Sequence, residues 1–371
     1  MGERMVTDSP RGAAGGNGHA RTSTCPPASA TTFRHRVAAH AASGALRDLL
    51  EHHRLSYAPE PLSEGAIFGL SGAFSLRTRI AQHALPAIDI DGRAHSLEAD
   101  LARHLRLKAT WCLTEDPHEA WRRLREELDA GRPALVRADI AELGYRDGRH
   151  HDTRHAIVVT GYDRRAGIVW VADGSFPEPR RCTVGELARA RTSMAYPEPA
   201  RHAMLRLRGP QRLATPYEAV AAAIRRTVDN MRTPPEFEHP HVRTGLGAVD
   251  ALADAWPRLP QMTGDRLGQT LGALRFRVRD AGTGGALYRS LQARFLHDAA
   301  ALLGSRRLGQ AALVCDDLAD AWRAVASSLE IEDAAVAHEV AAPWIERIRS
   351  LEHRHLETLE AHLRLRSCAA A

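Results

Sequence analysis

The chain has 371 residues, 44% hydrophobic and 26% charged, which is length enough for two domains with cores of their own. Its formal charge of +5 comes from arginine, since Lys108 is the only lysine, and the arginines are dispersed among Asp and Glu rather than gathered with aromatics into a nucleic-acid surface. No run approaches the ~18 apolar residues of a membrane span, so the expectation is a cytoplasmic protein that binds neither nucleic acid nor membrane.

Residues 1–32 are rich in Gly, Ser, Thr and Pro and carry no signal-peptide core, which predicts a disordered lead. Residues 33–50, FRHRVAAHAASGALRDLL, read as an extended approach that runs into an amphipathic helix. Ala42, Ala45, Leu46, Leu49 and Leu50 mark its buried face. No Ser, Thr, Asp or Asn precedes the first turn, so its N–H groups are expected to be uncapped. Free N–H groups at the positive end of a helix dipole suit an anion or a thiolate. The residue at that place is Ala41.

Ser63 and Glu64 can open a short helix, and Gly65, Gly69 and Gly72 permit close backbone contact. No strand precedes this run and no Lys follows it, so a helix and turn packed beside the first helix is expected, not a phosphate loop. Helices are predicted over 97–107 and 117–130, with a short strand at 107–114 between them. Strands follow at 133–140, 154–163 and 167–174, the last two joined by Arg164, Arg165 and Ala166. Helices followed by antiparallel strands predict an α+β fold. So short a link sets His155, at one strand's start, beside Asp173, at the next strand's end. An Asp beside a His can orient the ring and stabilise its charged form. The order is then helix start, base and orienter, as in papain-type folds.

Five widely spaced cysteines, Cys25, Cys112, Cys182, Cys315 and Cys368, form no C-x-x-C pair, which argues against a disulfide framework or a zinc ribbon. Residues 209–216 read as a link, and almost everything beyond is helical: 216–231, 245–256, 266–280, 284–303, 308–329 and 334–365. His239 and His241 form H-x-H in a loop, with no third ligand in place, so no metal site is expected. Thr283, in Gly-Thr-Gly-Gly, is expected to cap the helix from Gly284, where Gly284, Gly285 and Arg289 could meet a substrate anion; a tight turn between helices is the equal alternative to such a site. Arg275, Arg279, Arg289 and Arg294 surround that turn; some could face an acidic partner, though such charges are usually solvated.

Residues 33–47 (F-x-H-x-x-x-x-H-A-A-S-G-A-L-R), 62–70 (L-S-E-x-x-I-F-G-L), 132–139 (R-P-A-L-V-R-A-D), 155–163 (H-A-I-V-V-T-G-Y-D) and 169–173 (V-x-V-A-D) together resemble the butirosin-biosynthesis H-type family. The likeness continues into 282–296, GTGGALYRSLQARFL, which is similar to that family's helical companion domain. The resemblance implies a papain-like domain over 33–209, a helical substrate or partner domain over 210–366 and a tail over 367–371. It also implies acyl transfer from the phosphopantetheine thioester of an acyl carrier protein to an amine or hydroxyl acceptor, with no other cofactor. His155 would be the base, Asp173 its orienter, and His35 and His40 would serve the oxyanion or substrate, with Ser43 and Phe68 as further substrate contacts. Ser43 is no replacement nucleophile, because two residues along a helix turns it away from Ala41.

The family has Cys where this chain has Ala41. Three explanations are open: a deliberate Cys→Ala substitution, a natural loss leaving a binding or partner protein, or direct attack of an acceptor deprotonated by His155. The otherwise intact triad favours the first. Chain release by cyclisation or hydrolysis on the same site is the alternative outcome. The acceptor and the oligomeric state are not written in the sequence. As it stands, the chain is expected to bind without forming an acyl-enzyme.

Overall fold

The computed structural model describes residues 33–81, 83–94, 97–146, 150–209, 212–232, 241–262 and 265–369, with side chains as far as 364. The lead foreseen over 1–32 and His239 of the H-x-H pair lie outside these residues.

The first helix, α1 (Ala41–His52), follows an extended approach, and its expected apolar face is buried. It lies on a six-stranded antiparallel sheet. The strand order is β3 (Lys108–Cys112), β8 (Met204–Arg208), β4 (Ala134–Ala138), β5 (His155–Asp163), β6 (Ile168–Ala172) and β7 (Arg180–Thr183). Successive side chains of a strand point to opposite faces, and here both faces are covered. Leu135, Ala156 and Val158 join the core on the α1 side. Val136, Ile157 and Val159 join a second core under α4 (Pro117–Asp129) and α5 (Val184–Thr192). That double burial explains why β4 and β5 read as near-continuous apolar runs.

Between these elements stand α2 (Glu64–Leu70), β1 (Phe74–Ile80), β2 (Ile88–Arg93) and α3 (Leu97–Leu105). The second half supplies α6 (Pro216–Arg232), β9 (Val242–Thr244), α7 (Gly245–Ala255), α8 (Arg266–Arg275), α9 (Arg289–Leu303), α10 (Arg306–Ser328) and α11 (Ala334–Ala369). The fold is α+β with a helical second half, as expected. Residues 367–369, expected to be a tail, continue α11.

The two halves are not separate bodies. Strand β9, from the helical half, pairs antiparallel with β1, setting Arg77 opposite Thr244, in a small sheet ordered β2-β1-β9. One core runs from Leu46 and Leu49 of α1 through Phe68 to Phe295 and Trp322. Helix α2 reaches α9 over glycine: a Cβ on Gly69 would sit 1.9 Å from the Phe295 ring, and one on Gly65 2.6 Å from Arg294 Cβ. The glycine run therefore buys close approach to the second half, a partner not visible from local sequence.

Residues 281–288 depart from expectation. Helix α9 starts at Arg289, not Gly284, and Thr283 caps nothing: its buried hydroxyl donates to the carbonyl of Val278 at 2.7 Å. Gly282, Gly284, Gly285, Leu287 and Tyr288 all have positive φ, which glycine adopts freely and Leu and Tyr do not. The turn is tight and packs against the start of α1, with a Cβ on Gly284 falling 3.7 Å from Ala39 Cβ.

Candidate functional site

The approach to α1 is held by carboxylates. Glu64 accepts the backbone N–H groups of His40 at 2.7 Å and Ala39 at 3.0 Å. His40 is the N-cap, and the expectation of an uncapped start is thereby corrected: its Nδ1 accepts the N–H of Ser43 at 3.4 Å and lies 2.8 Å from the Ser43 hydroxyl. A histidine can cap as an Asn does once its Nδ1 is unprotonated. Burial, with Arg93 and His155 nearby, pushes the proton affinity of His40 well down. Its neutral ring then carries hydrogen on Nε2. The N–H groups of Ala41 and Ala42 have no acceptor among the described residues.

Ala41 opens onto a cleft of about 1240 Å³ whose walls come from both halves. Ala38 to Ala42 form one side, His155, Gly174 and Ser175 another, and Gly282, Thr283, Leu287 and Tyr288 close it from the helical half. The antiparallel register that sets Val158 opposite Ala172 carries His155 to Asp173. His155 Nε2 donates to Asp173 Oδ2 at 3.1 Å. With that nitrogen committed to the carboxylate, Nδ1 is the basic position.

Two groups that the sequence did not reveal complete the pair. Arg146 Nη1 donates to the same Oδ2 at 2.7 Å, and the Tyr145 hydroxyl does so at 3.1 Å. The 3.3 Å between Arg146 Nη1 and His155 Nε2 is two donors sharing one oxygen. Burial alone would raise the Asp173 pKa; the hydrogen bond and charge of His155, the charge of Arg146 and the Ser175 N–H outweigh it and hold the carboxylate ionised. Both residues sit in an irregular loop, where no periodicity points to them.

Other expected contacts are redistributed. His35 does not reach the cleft: Nδ1 donates to Asp48 at 2.7 Å and Nε2 to the carbonyls of Phe176 at 2.9 Å and Asp173 at 3.1 Å. Both nitrogens are donors, so the ring is the protonated form. Burial opposes that charge, and the hydrogen bond and charge of Asp48 outweigh it, raising the pKa. An oxyanion role for His35 gives way to a positioning one, pinning the loop that carries Asp173. Ser43 is sealed beneath His40. Phe68 is buried and stacks on Tyr288, ring centroids 5.3 Å apart, while Tyr288 meets His40 edge-on at 5.2 Å. Gly284 and Gly285 are not on the cleft wall, where Gly282 and Thr283 stand instead.

Arg289 is fully buried on Glu352 and meets no substrate space. Arg279 pairs with Asp280 and Glu330, and Arg294 with Asp298, so these arginines are engaged within the chain. Cys182 and Cys315 are buried, the first with its thiol pushed up to about 12, and no cysteine lines the cleft among the described residues. No cluster of three or more His, Cys, Asp or Glu able to hold a metal occurs among the described residues.

A helix start and a strand histidine thus share one cleft, with the histidine's carboxylate buried behind it, and the stretch from His40 to Gly174 that frames them matches a known family, described as butirosin biosynthesis protein H, N-terminal, over residues 40–174. That stretch, just over a third of the chain, is similar to the family's N-terminal domain. The H-type match begins on the cap of α1 and ends just past Asp173, enclosing Ala41 and His155. It points to an enzyme family of antibiotic biosynthesis. Residues 185–359 match a domain described only as of unknown function. No curated protein matches the chain. Among the described residues no helix is long and apolar enough to cross a membrane.

Proposed function

We propose that the H-type fold of this chain is built for acyl transfer from a pantetheine or carrier-protein thioester to an amine or hydroxyl acceptor, and that Ala41 stands where the nucleophilic thiol belongs. The observation that supports it is Ala41 at the head of α1 in the same cleft as His155 with its Asp173 partner.

With Cys at 41, the steps follow from the surroundings. His155 Nδ1 takes the thiol proton and the thiolate, at the positive end of α1, attacks the thioester carbonyl. The oxyanion is met by the backbone N–H of residue 41 and by His40 Nε2–H, a neutral imidazole donor at a helix start. The pantetheine thiol leaves with the proton from His155; the acceptor then attacks the acyl-enzyme, His155 takes its proton, and the bond to the thiol at 41 breaks as that sulfur receives the proton from His155. In the chain as it stands the base and its orienter are present and the covalent step is not possible.

Incubating A41C with an acyl-pantetheine donor should add the mass of one acyl group to the intact protein. The unsubstituted chain should stay unmodified. In the A41C background, His155→Ala should lower acylation by roughly 10²–10⁴-fold, the usual worth of a general base, while donor binding persists. If A41C gains no mass with any acyl-pantetheine, acyl transfer is the wrong function and a non-catalytic partner protein is left. Near-normal acylation in A41C/H155A would sink the assignment of His155 as base.

A further inference from the structure

A second Asp–His pair borders the same cleft through its histidine. Asp139 follows β4 and its side chain is fully buried, yet it is surrounded by donors. Its Oδ2 accepts the Ser193 hydroxyl at 2.6 Å and His151 Nδ1 at 2.7 Å, and its Oδ1 accepts the N–H groups of Asp152 at 3.1 Å and Ala141 at 3.2 Å. Those bonds outweigh burial and hold the carboxylate ionised. The His151 side chain is 54% exposed and lines the cleft that Ala41 and His155 line. Since Nδ1 is committed to Asp139, the neutral ring turns the lone pair of Nε2 outward, the arrangement of an Asp-oriented general base. The bond to Asp139, with Glu142 nearby, strengthens its hold on a proton.

Amine acceptors create a need for such a group. An alkylamine at neutral pH is an ammonium ion. It must lose one proton before it can attack and a second as the C–N bond forms, while the departing sulfur gains only one. His155 can carry the second proton from nitrogen to sulfur; it cannot also hold the first.

We propose that His151, oriented by Asp139, is a second catalytic base that takes the first proton from an ammonium acceptor. In the full step R–NH3+ gives its first proton to His151 Nε2, which releases it to water. The free amine attacks the acyl carbonyl, the second proton passes through His155 to the leaving sulfur, the C–S bond breaks and the C–N bond is kept. The proposal rests on the acyl-transfer function above.

The test uses A41C and A41C/H151Q, each first acylated with an acyl-pantetheine, then offered butylamine or hydroxylamine at pH 7. Butylamine is an ammonium ion there and hydroxylamine is largely neutral. Acylation should be unchanged by His151→Gln. Transfer to butylamine should fall by about 10²-fold, and transfer to hydroxylamine should stay within about twofold. Undiminished transfer to butylamine in A41C/H151Q overturns the proposal. An equal loss with both amines does so too, since it marks a role in folding or binding. An A41C acyl-enzyme that passes its group to hydroxylamine and to no alkylamine overturns the proposal too, since no ammonium ion is then used. Should A41C never take up an acyl group, the failure lies one level lower, in acyl transfer itself, and is seen before His151 is altered.

Discussion

Two buried Arg–carboxylate pairs, one in each half, share the same chemistry and serve different ends. In the helical half Arg289 and Glu352 are both wholly buried, with guanidinium bonds of 2.6 and 2.9 Å to one carboxylate oxygen. Arg289 also reaches the carbonyls of Leu287 and Gly92, and it lies 4.5 Å over the Phe74 ring. That pair bolts α9 and α11 to the sheet-bearing half and touches no open space. In the sheet-bearing half the Asp173 carboxylate is just as buried, but Arg146 is 20% exposed and the third partner is His155, facing the cleft. A charge pair sealed on every side acts on stability alone. One left open toward a titratable ring is placed to act on the ring's proton.

Breaking each pair separately tests that contrast. Glu352→Ala strands the guanidinium of Arg289 without its carboxylate and should cost about 3–5 kcal/mol in urea unfolding; a loss below about 1 kcal/mol would deny the pair its bolting role. Arg146→Gln removes a charge-assisted bond worth about 1.5–3 kcal/mol, so in the A41C background acylation should slow by roughly ten- to a hundredfold. Its unfolding curve should move much less than that of Glu352→Ala. The reverse ranking, with Arg146→Gln unfolding the protein and acylation per folded molecule unchanged, would collapse the distinction.

The smallest effect concerns His35, which ties the two concerns together. Its folded pKa is raised, so the stability it lends is full below the unfolded value of about 6.5 and is lost as pH rises through the higher folded value. His35→Gln should therefore be destabilised by an amount on the order of 1 kcal/mol near pH 5.5. The gap to the parent should narrow as the pH is taken into the alkaline range. A gap that is flat or widens with pH would show that the ring is not held protonated.

Much of the cleft was legible because it rests on local rules. A hairpin with a three-residue link brings His155 to Asp173 whatever the tertiary setting, and the periodicity of α1 places Ala41 at a helix head. What escaped notice depends on tertiary contact. Tyr145, Arg146 and Glu64 act through partners 24 to 28 residues away, and nothing in their own spacing marks them. Arg289 was given the wrong role, a substrate anion in place of Glu352, because in a chain whose basic residues are nearly all arginine a buried guanidinium looks like any exposed one. The resemblance put His35 among the oxyanion or substrate groups, but its Nδ1 donates to Asp48 of α1, which holds the ring away from the cleft. The turn at 281–288 misled because Gly-Thr-Gly-Gly resembles a helix start, while the positive φ of Leu287 and Tyr288 delays the helix to Arg289.

Strand β9 bears on how this protein can be recombined with its relatives. Three residues of the helical half complete the edge of the sheet whose other strands belong to the first half. Exchanging the helical half at the link near 209–216 therefore transplants a foreign edge strand onto β1, along with a foreign wall for the cleft. A chimaera meant to change the acceptor should carry residues 242–244 of the host, or it will change the seam that holds the sheet before it changes the substrate.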